Sequence, residues 1–334
     1  MSILSFSFLA DLAAIVAGGC FGTLFRGRMR LNLQQVTLRA CGLVVLAAGA
    51  FGVMYSFFPF SEDRVETVGW LLILAALLVG GILGSSMDVE GLFDRAASAL
   101  IEFSRDPQSG KSVHADSAAK KGHSLDNVIK LPVYNLPSAR SGHRFADGFA
   151  IGTIWLVTSS LTLNGIIEAG GDPALLYWKA LLDFIVIAAL ASVYGMGVTV
   201  SALSFVLTVA LIDLLGGIWD ASGNGLVSHY DSLIDKYSGS SKAKNLIKEL
   251  PDEIDTLFTE AGEKIASQNA VIAGVISLVL GLDLAAERRF KAANLLPAVL
   301  IPIVYYGVIV LAKIIEGIVL SVQAANAAVI LAFF

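Results

Sequence analysis

Lys179 and Asp183 stand four residues apart inside an apolar run, Ala174–Tyr194, that is long enough to cross a bilayer. That spacing puts both on one helical face. A charge at the centre of a membrane helix costs roughly 2.5–3.5 kcal/mol on insertion scales, so a charge of each sign there needs a partner or a use. Three other groups fall at similar depth in apolar runs: Asp11, Asp213, and the polar end of the fourth run, Thr158, Ser159, Ser160, Thr162 and Asn164. Together they form one cation facing three carboxylates. The chemistry this suits is a hydrated, ion-coupled site. Asp183 is its main acceptor and Lys179 the partner that frees Asp183 when a solute anion competes for it. The competing reading is a structural Lys179–Asp183 pair, with Asp11 and Asp213 turned toward the headgroups.

The elements that carry these residues follow from composition. Of 334 residues, 56% are apolar and only 15% charged, and the mean hydropathy is +0.74. A soluble chain carries about 25% charge, so the deficit places this one in the bilayer. No basic patch with interleaved aromatics points to nucleic acid. The two cysteines, Cys20 and Cys41, have neither zinc spacing nor a disulfide framework. The first 25 residues lack a basic leader segment, and Asp11 interrupts their apolar run, so they read as an uncleaved first membrane helix.

In order, apolar runs predict membrane helices over about 4–25, 36–58, 68–87, 149–167, 174–194, 198–218, 270–285 and 292–311. The last stretch, Ile314–Phe334, is long enough for a ninth despite Glu316, Gln323 and Asn326. The fold class is therefore an all-α integral membrane protein, a polytopic bundle of 8–9 transmembrane helices. Five segments organise it. Residues 1–103 hold helices 1–3 plus an interfacial helix at Val89–Phe103. Residues 104–145 form a flexible cytoplasmic linker. Residues 146–218 hold helices 4–6, and 219–268 form an amphipathic helical insertion. Residues 269–334 hold helices 7–8 and the C-terminal apolar helix. The insertion has two apolar stripes, Leu226, Tyr230, Leu233, Ile234, Tyr237 and Ile254, Leu257, Phe258, Ala261, Ile265; Pro251-Asp252-Glu253 opens the second. The stripes need a cover: the outer leaflet, the mouth of the site or another copy. Gly195-Met196-Gly197 reads as a tight turn between helices 5 and 6, with an unwound segment of one broken helix as the alternative.

Orientation follows from the basic loops. Arg26, Arg28, Arg30 and Arg288, Arg289, Lys291 fall on one side of this count. The acidic turns Ser61–Glu66 and Glu168–Asp172, and the insertion with 9 acidic against 5 basic residues, fall on the other. The N-terminus and the insertion are thus expected outside, and the linker inside. Asp11 then lies about seven residues, roughly 10 Å, below the outer surface, with Asp183 nearer the midplane. Arg39 and Asn294 join the basic residues in a cytoplasmic layer. Gly18-Gly19-x-x-Gly22 and Gly80-Gly81-x-x-Gly84 close helices 1 and 3 and suit tight helix packing. Helices 1–3 and 4–6 run in opposite senses, an arrangement compatible with a 3+3 inverted repeat.

The residues also carry a resemblance. Gly171-Asp172-Pro173, Lys179 and Asp183 resemble the signature of the bacterial integral-membrane family domain-of-unknown-function 554 (YqgA/YdfK-like). The stretch Asp11…Gly18-Gly19-x-x-Gly22 is similar to that family's first helix, where Asn is usual in place of Asp11. Gly274…Gly281-Leu282 and Asn294-x-Leu296-Pro297-Ala298 match in the same order, and the long insertions and apolar tail depart from the pattern. The resemblance implies a multi-pass protein of the bacterial plasma (inner) membrane, of a kind labelled as transport proteins. It supplies neither a substrate nor a catalytic residue.

Enzyme signatures fail. Gly110-Lys111-Ser112 lacks the earlier glycine of a phosphate loop, since Arg105 stands there, and no zinc-protease motif or nucleophile elbow occurs. His114, Asp116, His123, Asp126 and His143 fit a compositional coincidence better than a metal site. The expectation is a transporter or permease of a small polar solute or ion, with no catalytic residue, cofactor or metal. Its site comprises Asp11, Asn164, Lys179, Asp183 and Asp213, and its partners are the lipid bilayer, the solute and a homo-oligomer. The alternative is a scaffold or sensor that binds partners through its polar insertions.

Overall fold

The computed structural model describes residues 3–26, 28–57, 67–103, 141–168, 172, 174–236, 248–286 and 291–332. These form α1 (Ile3–Arg26), α2 (Leu31–Phe57), α3 (Thr67–Met87), α4 (Val89–Phe103), α5 (Ser141–Glu168), α6 (Leu175–Tyr194), α7 (Met196–Val200), α8 (Ala202–Lys236), α9 (Leu250–Ala286), a 3-10 segment (Ala292–Val299) and α10 (Leu300–Ala332). Among the described residues eight helical stretches are long and apolar enough to cross a membrane. The protein is an all-α polytopic membrane protein. The linker centre, the acidic turn at 61–66, Arg288, Arg289, Gly171, Pro173 and Tyr237 lie outside the described residues.

Glycines set the tightest packing, because helices in lipid gain from close backbone approach more than from hydrophobic burial. A Cβ on Gly18 would lie 2.6 Å from the carbonyl oxygen of Phe184, and one on Gly22 would collide with that of Ala188. The contacts advance together along both chains, so α1 and α6 run parallel. In α2 and α9 they run in opposite senses: Gly42 faces Gly281 and Gly49 faces Gly274, and a Cβ on Gly49 would lie 2.7 Å from the Gly274 carbonyl oxygen. Gly80 and Gly84 of α3 seat Ala298 and Asn294 of the 3-10 segment, again antiparallel. All three relations are those of a strictly alternating eight-span count.

The turn between α6 and α8 is resolved by its neighbour α5. Trp155 meets Asp183 and Gly148 meets Tyr194, so α6 is antiparallel to α5. Gly148 meets Val198, Gly152 meets Ser201 and Thr153 meets Ser204, so α8 runs parallel to α5. The chain therefore reverses at Gly195 and the broken-helix alternative falls. Gly195 has φ +84°, ψ −146°, a region that glycine alone enters without strain. The Arg26 guanidinium occupies the space a side chain would need there.

Several boundaries differ from expectation. α5 begins at Ser141, inside the stretch read as linker. α8 and α9 each fuse a membrane span with one half of the amphipathic insertion; 35 and 37 residues reach roughly 50–55 Å at 1.5 Å per residue, well past a ~30 Å hydrocarbon layer. The apolar stretch from Ile314 is no separate ninth helix but the continuation of α10, because Leu311-Ala312-Lys313 contains no helix breaker and the extension has work to do. Tyr230, Leu250, Ile254 and Phe258 form a second core with Tyr306 and Val310 of α10. The Tyr230 hydroxyl sits 2.7 Å from where a Cβ of Gly317 would stand, and Trp219 Nε1 donates to the Phe258 carbonyl at 3.0 Å. The two stripes thus cover each other, and α10 closes the third side.

Candidate functional site: a buried lysine between two aspartates

Four helices meet at the charged centre. Asp11 comes from α1, held against α6 by the glycine contacts at Gly18 and Gly22 two and three turns further on. Lys179 and Asp183 come from the first half of α6. Trp155 comes from α5 and Phe205 from α8. Lys179 Nζ donates to Oδ2 of Asp11 and, at 2.5 Å, to Oδ2 of Asp183. Trp155 Nε1 donates to Asp183 Oδ1 at 2.8 Å. The Phe205 ring lies 4.8 Å from Nζ, a cation–π contact that stabilises the ammonium. Asp183 is fully buried, Lys179 8% and Asp11 5% exposed. Asp183 therefore has both oxygens bonded, whereas Asp11 Oδ1 is buried with no hydrogen-bond partner among the described residues.

A cavity of about 390 Å³ adjoins this cluster, large enough for a small solute. Lys179 and Trp155 belong to its wall, with Ser159 and Thr162 of α5 and Ser277 of α9 as further polar groups. Ser277 Oγ donates to Thr158 Oγ1 at 2.8 Å, which joins α9 to α5 at the same level. The remaining wall is apolar and comes from α2, including Val44 and Phe51, from Leu163 and Ile166 of α5, and from Leu175, Trp178 and Leu182 of α6.

Asp11, Lys179 and Asp183 are thus brought into one cluster. Asp213 is not: it is exposed on α8, eight residues or roughly 12 Å along the helix from Phe205. Asn164 is half-buried on α5 and does not line the cavity, although Leu163 and Ile166 on either side of it do. Sequence reasoning missed Trp155, Phe205 and Ser277. Trp155 had a usable signal: it lies three, four and seven residues before Thr158, Ser159 and Thr162, on the stripe already suspected, and a buried indole N–H needs an acceptor. Phe205 and Ser277 carry none, since aromatic and small polar residues are ordinary in membrane helices. In the basic layer, the Asn294 side chain accepts from the Glu90 backbone N–H at 3.4 Å, and Lys291 pairs with Glu90 at 3.3 Å, which ties α4 to the 3-10 segment. Among the described residues no group of three or more His, Cys, Asp or Glu is placed to hold a metal ion.

Over 91% of its length the chain is 22% identical to "Uncharacterized membrane protein YdfK" of Bacillus subtilis (strain 168), covering 96% of that protein. A 98-residue stretch is 34% identical to "UPF0324 membrane protein Cgl0015/cg0018" of Corynebacterium glutamicum, 27% of this chain and 28% of the other. No solved structure matches. Residues 6–224 match the family described as "Protein of unknown function (DUF554)", a region that includes Asp11, Trp155, Lys179, Asp183 and Phe205, and the chain belongs to that family.

Proposed function

We propose that this protein is a transporter or permease of a small polar solute or ion in the bacterial plasma membrane, and that the Asp11–Lys179–Asp183 cluster and its cavity are the site of binding. One observation carries the reading: a lysine and two aspartates are buried together within the membrane-spanning part of the chain, and the lysine also borders a solute-sized cavity. Ionisable groups at such depth are costly and mark substrate or ion pathways. A solute whose polar group reaches Lys179 competes with the aspartates for it, which couples occupancy of the cavity to the state of the cluster. The N-terminus and the α8–α9 hairpin lie outside in this reading, supported by the basic loops on the opposite side. The insertion's apolar stripes lend no support to the scaffold reading, because they are already covered within the chain.

The test is mass spectrometry of small molecules retained by the purified protein, with Asp183→Asn as control, followed by uptake of each retained compound into proteoliposomes. A compound that is enriched in the wild type, depleted in the variant and taken up only by loaded vesicles supports transport. Cysteines placed at 164, 179 and 183 add an independent check. If none reacts with a membrane-impermeant reagent in either orientation, the site has no access to water and the transport reading falls.

A further inference from the structure

We propose that Asp11 Oδ1 is a proton-binding atom and that a proton is the ion coupled to transport; the coupling role rests on the transport reading above, while the proton site stands on the geometry alone. With all three groups ionised, Lys179, Asp11 and Asp183 sum to one negative charge in a site of which no member is more than 8% exposed. An uncompensated charge buried in lipid is far costlier than a balanced pair, so the cluster demands one more positive charge.

The oxygens say where it goes. Asp183 uses Oδ1 for the Trp155 N–H and Oδ2 for Lys179, and Asp11 uses Oδ2 for Lys179. Asp11 Oδ1 is left, buried and without a partner among the described residues. A metal cation wants several oxygens around it, whereas a proton needs one. The helices packed most closely on α1 are α6, α7 and α8. α6 contributes Lys179 and Asp183; α7 carries no titratable side chain; α8 presents the Phe205 ring, its Asp213 being exposed further along. On α1 itself the other charged side chain is Arg26, fifteen residues or roughly 22 Å away. Among the described residues of these elements no second cation is thus at hand for Asp11. When Asp11 takes the proton on Oδ1 it becomes a neutral acid, the cluster passes from −1 to 0, and Lys179 remains paired with the Asp183 carboxylate. When the proton leaves, Lys179 at the cavity wall is again shared by two carboxylates and is held more tightly by them. Proton occupancy thereby sets how freely Lys179 can meet a solute.

Infrared difference titration of the full chain in liposomes reads the site directly. The wild type is expected to show the carbonyl stretch of one membrane-embedded carboxylic acid that titrates with pH and shifts when aspartate alone is ¹³C-labelled. Asp11→Asn should abolish it, and Asp213→Asn should leave it in place. In Asp11→Glu the band should persist but no longer respond to the aspartate label. A label response that survives Asp11→Glu assigns the proton to Asp183 and overturns the proposal, as does a wild type with no titrating acid. Vesicles loaded with the pH dye pyranine then receive a small-molecule extract of cells outside. Solute uptake with a matching change in internal pH supports coupling. Solute uptake without any pH change overturns the coupling role but spares transport. A titrating acid at position 11 in vesicles that take up nothing keeps the proton site and sinks the transport reading.

Discussion

Lys179 has two carboxylate partners, and this asymmetry decides how single substitutions behave. Asp183→Asn leaves Lys179 with Asp11, a balanced pair, and its amide still accepts from Trp155. Lys179→Met leaves two buried aspartates without a cation, a defect of about 3–5 kcal/mol by analogy with broken buried ion pairs. Thermal unfolding in detergent should therefore show a modest drop for Asp183→Asn and a large one for Lys179→Met. Acidification should partly rescue the latter, because protonating the two carboxylates removes the charge that makes the variant unstable. Equal losses for both variants would contradict the charge count. Trp155→Phe removes the one donor on Asp183 Oδ1 among the described residues and should cost about 1–3 kcal/mol, the price of leaving a buried acceptor without a hydrogen bond. The charged members of the cluster were legible in the sequence because an ionisable residue inside an apolar run is conspicuous whatever it touches. Asp213 was conspicuous for the same reason and nonetheless lies apart, since one-dimensional depth does not say which way a helix face turns.

At the scale of the helix, α1 brings Asp11 to α6 through glycines whose missing side chains admit the α6 backbone. Gly22→Ala would drive a Cβ into the Ala188 carbonyl and should separate the pair, lowering the melting temperature and weakening the Asp11–Lys179 contact. Gly217→Ala on α8 meets nothing within 4 Å and should be neutral or stabilising by up to about 1 kcal/mol, the ordinary helix-propensity gain. Parallel melting curves of the two variants check both signs. The glycine motif of α1 was readable as a packing surface, but its partner was not, because glycine spacing carries no address. The reversal at Gly195 was readable as a turn from composition, and the positive φ explains why glycine stands there.

For the whole molecule, the long helices matter most. α8, α9 and the end of α10 extend together past the membrane layer as one packed unit, so the insertion is a helical hairpin braced by the C-terminal helix. Ending the chain at residue 312 removes Gly317 and Leu320 from that core and should make the hairpin open readily to trypsin at exposed Lys248, while the full chain resists longer. Sidedness is checked by cysteines at the exposed positions Ser232 and Ser98 in a chain carrying Cys20→Ala and Cys41→Ala. In intact cells an impermeant maleimide should label position 232, and position 98 only after permeabilisation. The reverse pattern would invert the proposed orientation.

By itself the sequence determined the class, the number of spans to within one, and which ionisable residues stand inside apolar runs. These depend on hydropathy, length and the cost of charge in lipid, all of which are properties of single segments. Only the tertiary structure decided that Asp11 shares Lys179 with Asp183, that Trp155 and Phe205 complete the cluster, and that Asp213 and Asn164 do not. It also decided that the insertion covers itself and needs the tail. Each of those depends on the rotation of one helix about its axis relative to another. That rotation is set by where glycines let two backbones touch, a relation between distant segments that no single segment encodes.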